Sequence, residues 1–261
     1  MSVIAILCIL AIVLSITVFM VWASASIRSG VYVRAFCREK TDRKVVYLTF
    51  DDGPYPPETE RVLDVLRERG ARATFFLIGS KVSGNEAVLR RMLEEGHALG
   101  LHTYSHAGTF PLLSFDKMLA DVNEGKRAVE SVAGKKISLF RPPFGVTNPT
   151  IAKVVRTLGL QTVGWDVRSF DTMFCKSSEH SCKQSGYSCK QSGHDWYVPV
   201  VERIMKQVRP GSVILLHDRL DGASGLLALL LDSLAASGYE FTRALPNTLI
   251  SSSDSSETNL S

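Results

Sequence analysis

The chain has 261 residues, 45% hydrophobic and 21% charged, and its 30 Lys and Arg against 26 Asp and Glu leave a net charge of +4. This near balance, with no basic block, excludes the electrostatic footprint of a nucleic-acid binder, so no nucleic-acid partner is expected. The length suits one enzyme-sized domain once an N-terminal segment is set aside, and the five cysteines (Cys8, Cys37, Cys175, Cys182, Cys189) do not form an even, dispersed disulfide framework.

In chain order, Ser2 to Ala25 is uncharged and holds about the twenty apolar residues that span a bilayer, which predicts a transmembrane anchor over 1–25. "ASA" at Ala23 to Ala25 is also the small-residue pattern of a signal cleavage site. A juxtamembrane linker over 26–43 follows, and a domain over 44–246. Within it "VVYLTF" (Val45 to Phe50) reads as a strand, and "PETERVLDVLRERG" as a helix with Val62, Leu63, Val65 and Leu66 inward. "ATFFLIG" is the next strand. Asn85 to Glu95 spaces Val88, Leu89, Met92 and Leu93 at helical intervals before a short strand at Ala98 to Leu101. Ser114 to Val132 is a long helix ending at Gly134, "KISLF" a strand, "RPPFG" a rigid turn and Asn148 to Leu158 a helix. "LQTVGW", "SVILLH" (Ser212 to His217) and "YEFTRAL" read as strands, with the helix "GLLALLLDSLAAS" before the last of them. Strands alternating with helices over this length predict an α/β fold, a (β/α) barrel of about seven strands. The polar tail, 247–261, is expected to be disordered.

One stretch departs from the alternation. Phe174 to His194 is three consecutive heptads, "FCKSSEH", "SCKQSGY" and "SCKQSGH", inside an insertion over 172–197. Without an apolar face it suits a surface loop expanded by duplication. A metal site from Cys175, Cys182, Cys189, His180 and His194 is the weaker reading, because zinc sites favour closer ligand pairs.

The chemistry-bearing residues sit at predicted strand ends. "YLTFDDGP" sets Asp51 and Asp52 side by side, where repulsion demands a separate partner for each. "HTYSH" places His102 and His106 four apart, so that one tight loop can aim both imidazoles at one ion, and one carboxylate completes a three-ligand face open to water and substrate. The other carboxylate then serves as general base for the water the ion activates. Arg141 in "FRPPFG" is suited to orient a carboxylate bidentately, and His217 in "ILLHD", at the end of an apolar strand, suits a shielded general acid.

"TFDDGP", "HTYSH", "RPPF", "GWDVRSFD" and "LLHD", in that order, resemble the five motifs of the polysaccharide deacetylase family, carbohydrate esterase family 4, which includes nodulation-type chitooligosaccharide deacetylases. The resemblance implies a distorted (β/α) barrel with fewer than eight complete repeats. It also implies a divalent metal, usually zinc, with Co2+, Ni2+ or Mn2+ as substitutes, and removal of acetyl groups from N-acetylated glycans. Asp51 matches the base, Asp52, His102 and His106 the metal ligands, and His217 the acid. Arg141 and Asp171 match supporting catalytic positions, Asp171 contacting either His217 or Arg141. A backbone amide near Phe144 is expected to hold the oxyanion, and Leu215 and Trp165 to line the pocket for the acetyl methyl. Three positions depart from the family pattern: Phe144 replaces the usual Tyr, Arg168 an acid and Thr172 a Trp.

Rival readings are a non-haem iron oxygenase, which needs none of Asp51, Arg141 and His217, an inactive glycan-binding relative, and a relative that hydrolyses a non-carbohydrate amide or an O-acetyl ester. Peptidoglycan, an N-acetylglucosamine exopolysaccharide, chitin-like oligomers and acetylated xylan all remain open as substrates. Arg28, Arg34, Arg38 and Lys40 follow the apolar segment and favour a cytoplasmic domain, whereas a glycan polymer lies outside. The substrate argument places the domain in the periplasm or cell exterior, anchored to the membrane, with Cys37 and the heptad cysteines Cys175, Cys182 and Cys189 exposed to an oxidising compartment.

Overall fold

The computed structural model describes residues 2–174 and 196–246, so the heptads from Cys175 onward and the tail fall outside the described residues. The first element, α1 (Val3–Ala25), is apolar on every side and long enough to cross a membrane. Seven strands follow: β1 (Val46–Asp51), β2 (Ala73–Leu77), β3 (Ala98–Leu101), β4 (Leu139–Phe140), β5 (Gln161–Thr162), β6 (Val167–Arg168) and β7 (Ser212–His217). Between and after them lie α2 (Glu58–Glu68), α3 (Glu86–Glu94), α4 (Phe115–Ala133), α5 (Pro149–Thr157), α6 (Tyr197–Met205) and α7 (Ala223–Ala236).

The strands form one sheet in the order β5-β4-β3-β2-β1-β7-β6, every neighbouring pair parallel. The sheet curls into a distorted, incomplete barrel, as a chain of strand and helix pairs requires when both sheet faces must be covered. Its two edges, β5 and β6, are consecutive in sequence and joined by residues 163–166. Near this junction the chain before β1 is stitched in, with Phe36 bridging Val163 and Arg38 bridging Ser212. The segment expected as a linker is therefore built into the domain over these residues.

Strand alternation divides the core. Val46, Leu48 and Phe50 of β1 face the helices, where they join Leu63, Leu66 and Leu227. Val45 and Tyr47 face the barrel interior with Phe76, Leu139, Val163 and Val213. The interior register matters for function. Continued toward the C-terminal strand ends, it passes through Thr49 to Asp51 on β1, through Leu215 to His217 on β7, and from Leu139 to Arg141 just beyond β4.

Two local expectations differ. The predicted strand Tyr239 to Leu245 makes only a bridge from Glu240 to Val45, and Leu245 is tied by its amide to Thr74 Oγ1. β1 already has β2 and β7 on its two sides, so no free edge remains for a further strand. Cys37 is half-buried beside Gly164, and burial pushes its thiol up to about 11 against the opposing pull of Arg141, so it is not an exposed, reactive thiol.

Candidate active site

Asp51 ends β1, and the chain then turns sharply, with Asp52 at φ 74°. The reversal sends the adjacent carboxylates to different partners, which removes the repulsion that the sequence raises. Gly53 must be a glycine, because a Cβ there would collide with the Asp218 carboxylate.

Asp51 is paired with the fully buried Arg141. The guanidinium donates from Nη1 to Asp51 Oδ1 at 2.7 Å and to Thr49 Oγ1 at 2.9 Å, from Nη2 to the Gly164 carbonyl at 2.8 Å, and from Nε to the Val163 carbonyl at 3.2 Å. It also lies over the Phe76 ring at 4.1 Å. A buried cation so completely bonded is a rigid fixture for the carboxylate it holds.

Asp52 faces two imidazoles. Its Oδ1 is 3.6 Å from His102 Nε2 and 3.3 Å from His106 Nε2, and these three residues can each offer a ligand atom within 4.8 Å of the others. His102 Nδ1 sits 2.7 Å from the Arg141 carbonyl, which only accepts, so the ring hydrogen belongs on Nδ1 and the Nε2 lone pair faces Asp52. Burial, reinforced by the neighbouring His102, lowers the pKa of His106 and favours its neutral, ligating form. Burial alone would raise Asp52, but His102, His217 and the Arg219 bond hold it down at about 2. An anionic oxygen and two imidazoles converging in this way fit a divalent cation, and Asp52, His102 and His106 are the residues that would hold it.

His217 ends β7 directly opposite Asp51 in the strand register. Its Nδ1 is 2.8 Å from Asp171 Oδ1, and its backbone amide donates to Asp171 Oδ2 at 2.9 Å. Burial opposes protonation, but the Asp171 charge and hydrogen bond, with smaller contributions from Asp51 and Asp52, push His217 up to about 9. Of the two partners expected for Asp171, the structure gives it His217; the Arg141 guanidinium goes to Asp51 instead.

Phe144 stands at the rim with φ 61°, 53% exposed, its ring 5.3 Å from that of His106. Leu215 lies two residues before His217 on the same face of β7 and is buried. Trp165 packs against Gly145, next to Phe144, and partly against the interior core. The departing Arg168 lies beside Leu215 on β6 and over the Phe170 ring at 4.6 Å, away from the Asp171 and His217 pair.

Sequence reasoning misses three residues here. Arg219 donates from Nε to Asp52 Oδ2 at 2.6 Å, and Lys81 Nζ donates to the Asp52 carbonyl at 2.7 Å. Asp218 is fully buried, accepts from Thr59 Oγ1 at 2.7 Å, and is raised to about 7, chiefly by burial. Only the position of Arg219 and Asp218 directly after His217 offers a signal in the sequence.

Residues 38–163 match the family model for polysaccharide deacetylase, so motifs one to three lie within the match and the later two beyond it. The chain is 34% identical over 207 residues to a peptidoglycan-N-acetylglucosamine deacetylase of Bacillus cereus, covering 77% of this chain and 86% of the relative. It is 31% identical to a chitooligosaccharide deacetylase of Azorhizobium caulinodans, over 66% of this chain and 73% of that one. The structure of the peptidoglycan deacetylase PdaC from Bacillus subtilis superposes with a TM-score of 0.63 at 30% identity, over 77% of this chain and 87% of that one. With these likenesses, the strand-end motifs and the seven-stranded barrel, the chain belongs to the polysaccharide deacetylase family.

Proposed function

We propose that the protein is a metal-dependent N-deacetylase of N-acetylglucosamine-containing glycan in the bacterial envelope, peptidoglycan or an exopolysaccharide, and that its metal is zinc. The observation that carries the reading is the pairing of two charge relays around one three-ligand cluster. Arg141 holds Asp51 and Asp171 holds His217, and the two held groups face each other across adjacent strand ends.

Asp52, His102 and His106 would hold a divalent ion, which would supply Lewis-acid polarisation of an acyl carbonyl and make a water easier to deprotonate. Asp51, fixed by Arg141, takes the proton from the attacking water. The backbone amide at Phe144 is assigned to the developing oxyanion, and Leu215 and Trp165 to the pocket for the acetyl methyl. His217, kept protonated by Asp171, gives its proton to the departing amine, releasing acetate and a free amino sugar. Phe144 in place of a Tyr leaves this scheme intact, because the backbone amide and not a hydroxyl does the work. The apolar α1 anchors the domain, which faces the periplasm or cell exterior where such polymers lie.

Acetate release across a panel of chitooligosaccharides, peptidoglycan and acetylated xylan, with and without added zinc, tests the reading. Zinc-stimulated release from the N-acetylated substrates is expected. Release from O-acetylated xylan alone would replace amide hydrolysis by ester hydrolysis.

A further inference from the structure

The end of α1 is docked on the loop that follows Phe144. A helix leaves its last carbonyls without intrahelical partners, and here Thr147, three residues beyond Phe144, supplies them. Its amide donates to the Ser24 carbonyl at 3.0 Å and its hydroxyl to the Ala23 carbonyl at 3.3 Å, while Ser29 Oγ donates to Ala23 as well. Thr147 and Ala23 are both buried, at 1% and 0% exposure, whereas the apolar side chains from Val3 to Trp22 are largely exposed. Val146 faces Met20, Val21, Ser24 and Ala25 across an apolar cleft. Past the helix, Ile27 is buried against Gly164, and Phe36 and Arg38 enter the sheet. No free tether separates the helix from the domain.

Distances follow from chain geometry. The three residues from Phe144 to Thr147 span at most about 11 Å, and the Phe144 ring is 5.3 Å from that of His106. With the Phe144 side chain, the ring-to-ring gap and the hydrogen bond to Ser24 added, the Asp52, His102 and His106 cluster lies within about 25 Å of the last helical turn. Trp22 and Phe19 pair at 5.9 Å near that turn, and exposed Arg28 and Arg34 follow it, the residue types that settle at a bilayer surface.

We infer that α1 is retained as a rigid stand that holds the catalytic mouth at a fixed, short height above the bilayer, so that the substrate is membrane-proximal glycan, namely N-acetylated chains still carried on a lipid. This rests on the deacetylase reading. Wall polymer farther from the membrane lies beyond the reach of a site that cannot swing outward.

The test uses the full chain reconstituted in lipid vesicles, with a variant carrying about fifteen Gly and Ser residues inserted after Trp22. This leaves the bonds between Thr147 and the Ala23 and Ser24 carbonyls in the domain, frees Met20 and Val21 from Val146, and adds a flexible reach of about 20 Å. Acetate release is measured on a prenyl-diphosphate-linked N-acetylglucosamine oligomer in the same vesicle, on isolated sacculi and on soluble chitotetraose. The native chain is expected to favour the lipid-linked oligomer over sacculi by at least tenfold. The insertion should erase most of that preference and leave chitotetraose turnover within twofold. An unchanged preference, or a membrane-extracted chain beginning after Ala25, overturns the inference. If no substrate releases acetate, the deacetylase reading is what has failed. The docking is read separately with a photoreactive benzophenone side chain at position 146: a cross-link to residues 20–25 supports it, and adducts to lipid alone refute it.

Discussion

Replacing Asp171 by Asn removes the charge that keeps His217 protonated while keeping a side chain of the same shape. His217 is pushed up to about 9 in the native protein, from an ordinary value of 6.5, although burial pulls the other way. With Asp171 neutral, the largest raising influence is gone and burial, which lowers the value, is opposed only by Asp51 and Asp52, so the pKa of His217 falls. A fall only as far as the ordinary 6.5 already takes the protonated fraction at about pH 8 from about nine-tenths to about three-hundredths, so acid-dependent turnover there drops by about 30-fold or more, and by much less at about pH 6. The sign is fixed by the role: a group that must give a proton works below its pKa, so the alkaline limb moves to lower pH. The assay is acetate release from chitotetraose between about pH 5.5 and 10 at saturating zinc, with circular dichroism to confirm the fold. A uniform loss at every pH, with the alkaline limb in its native place, would refute the argument that Asp171 sets the charge of His217.

His102→Ala and His106→Ala should each lose bound metal by elemental analysis and lose activity, whereas Asp51→Asn should keep the ion and lose most turnover; metal loss in Asp51→Asn would exchange the roles of the two aspartates. Arg141→Met leaves a buried carboxylate without its cation and should cost about 3–5 kcal/mol, seen as a melting temperature lower by about 10 °C or more; an unchanged melting temperature would count against that pairing. Arg219→Gln removes the cation on the outer oxygen of Asp52 and should change zinc affinity in competition with a chelator, with the circular dichroism spectrum unchanged.

Much of the fold is legible because parallel strands buried on both faces read as apolar runs, and β3 and β7 begin and end where the pattern places them. β4 and β5 are shorter than "KISLF" and "LQTVGW" suggest, because hydrogen bonding there is shared out: Phe36 accepts from the Gly164 amide and donates to the Thr162 carbonyl, so an irregular segment supplies partners a full strand would have taken. β6 has two residues and no periodicity to reveal it, and α6 begins at Tyr197, one residue beyond the described gap and inside what the sequence presents as an insertion. The final apolar run is strand-like in composition, but pairing depends on a free edge, which composition does not encode.

The site divides along the same physical line. Asp51, Asp52, His102, Arg141 and His217 are legible because each stands at or just past a strand end, where one residue of register decides whether a side chain enters the mouth or the helical layer. Arg219 and Asp218 are not, because their meaning lies in contacts between distant segments. Arg219 reaches the carboxylate of a residue 167 positions away, and Asp218 packs against Gly53 from the opposite end of the domain. A lone Arg after a strand is an ordinary surface cation until the fold brings a carboxylate to it. The same holds for α1: hydropathy shows that it can span a bilayer, but only the bonds from Thr147 to the carbonyls of Ala23 and Ser24 join its end to the loop that carries Phe144. The placement of the helix end against the domain is therefore a property of packing at one helix terminus, which hydropathy does not encode.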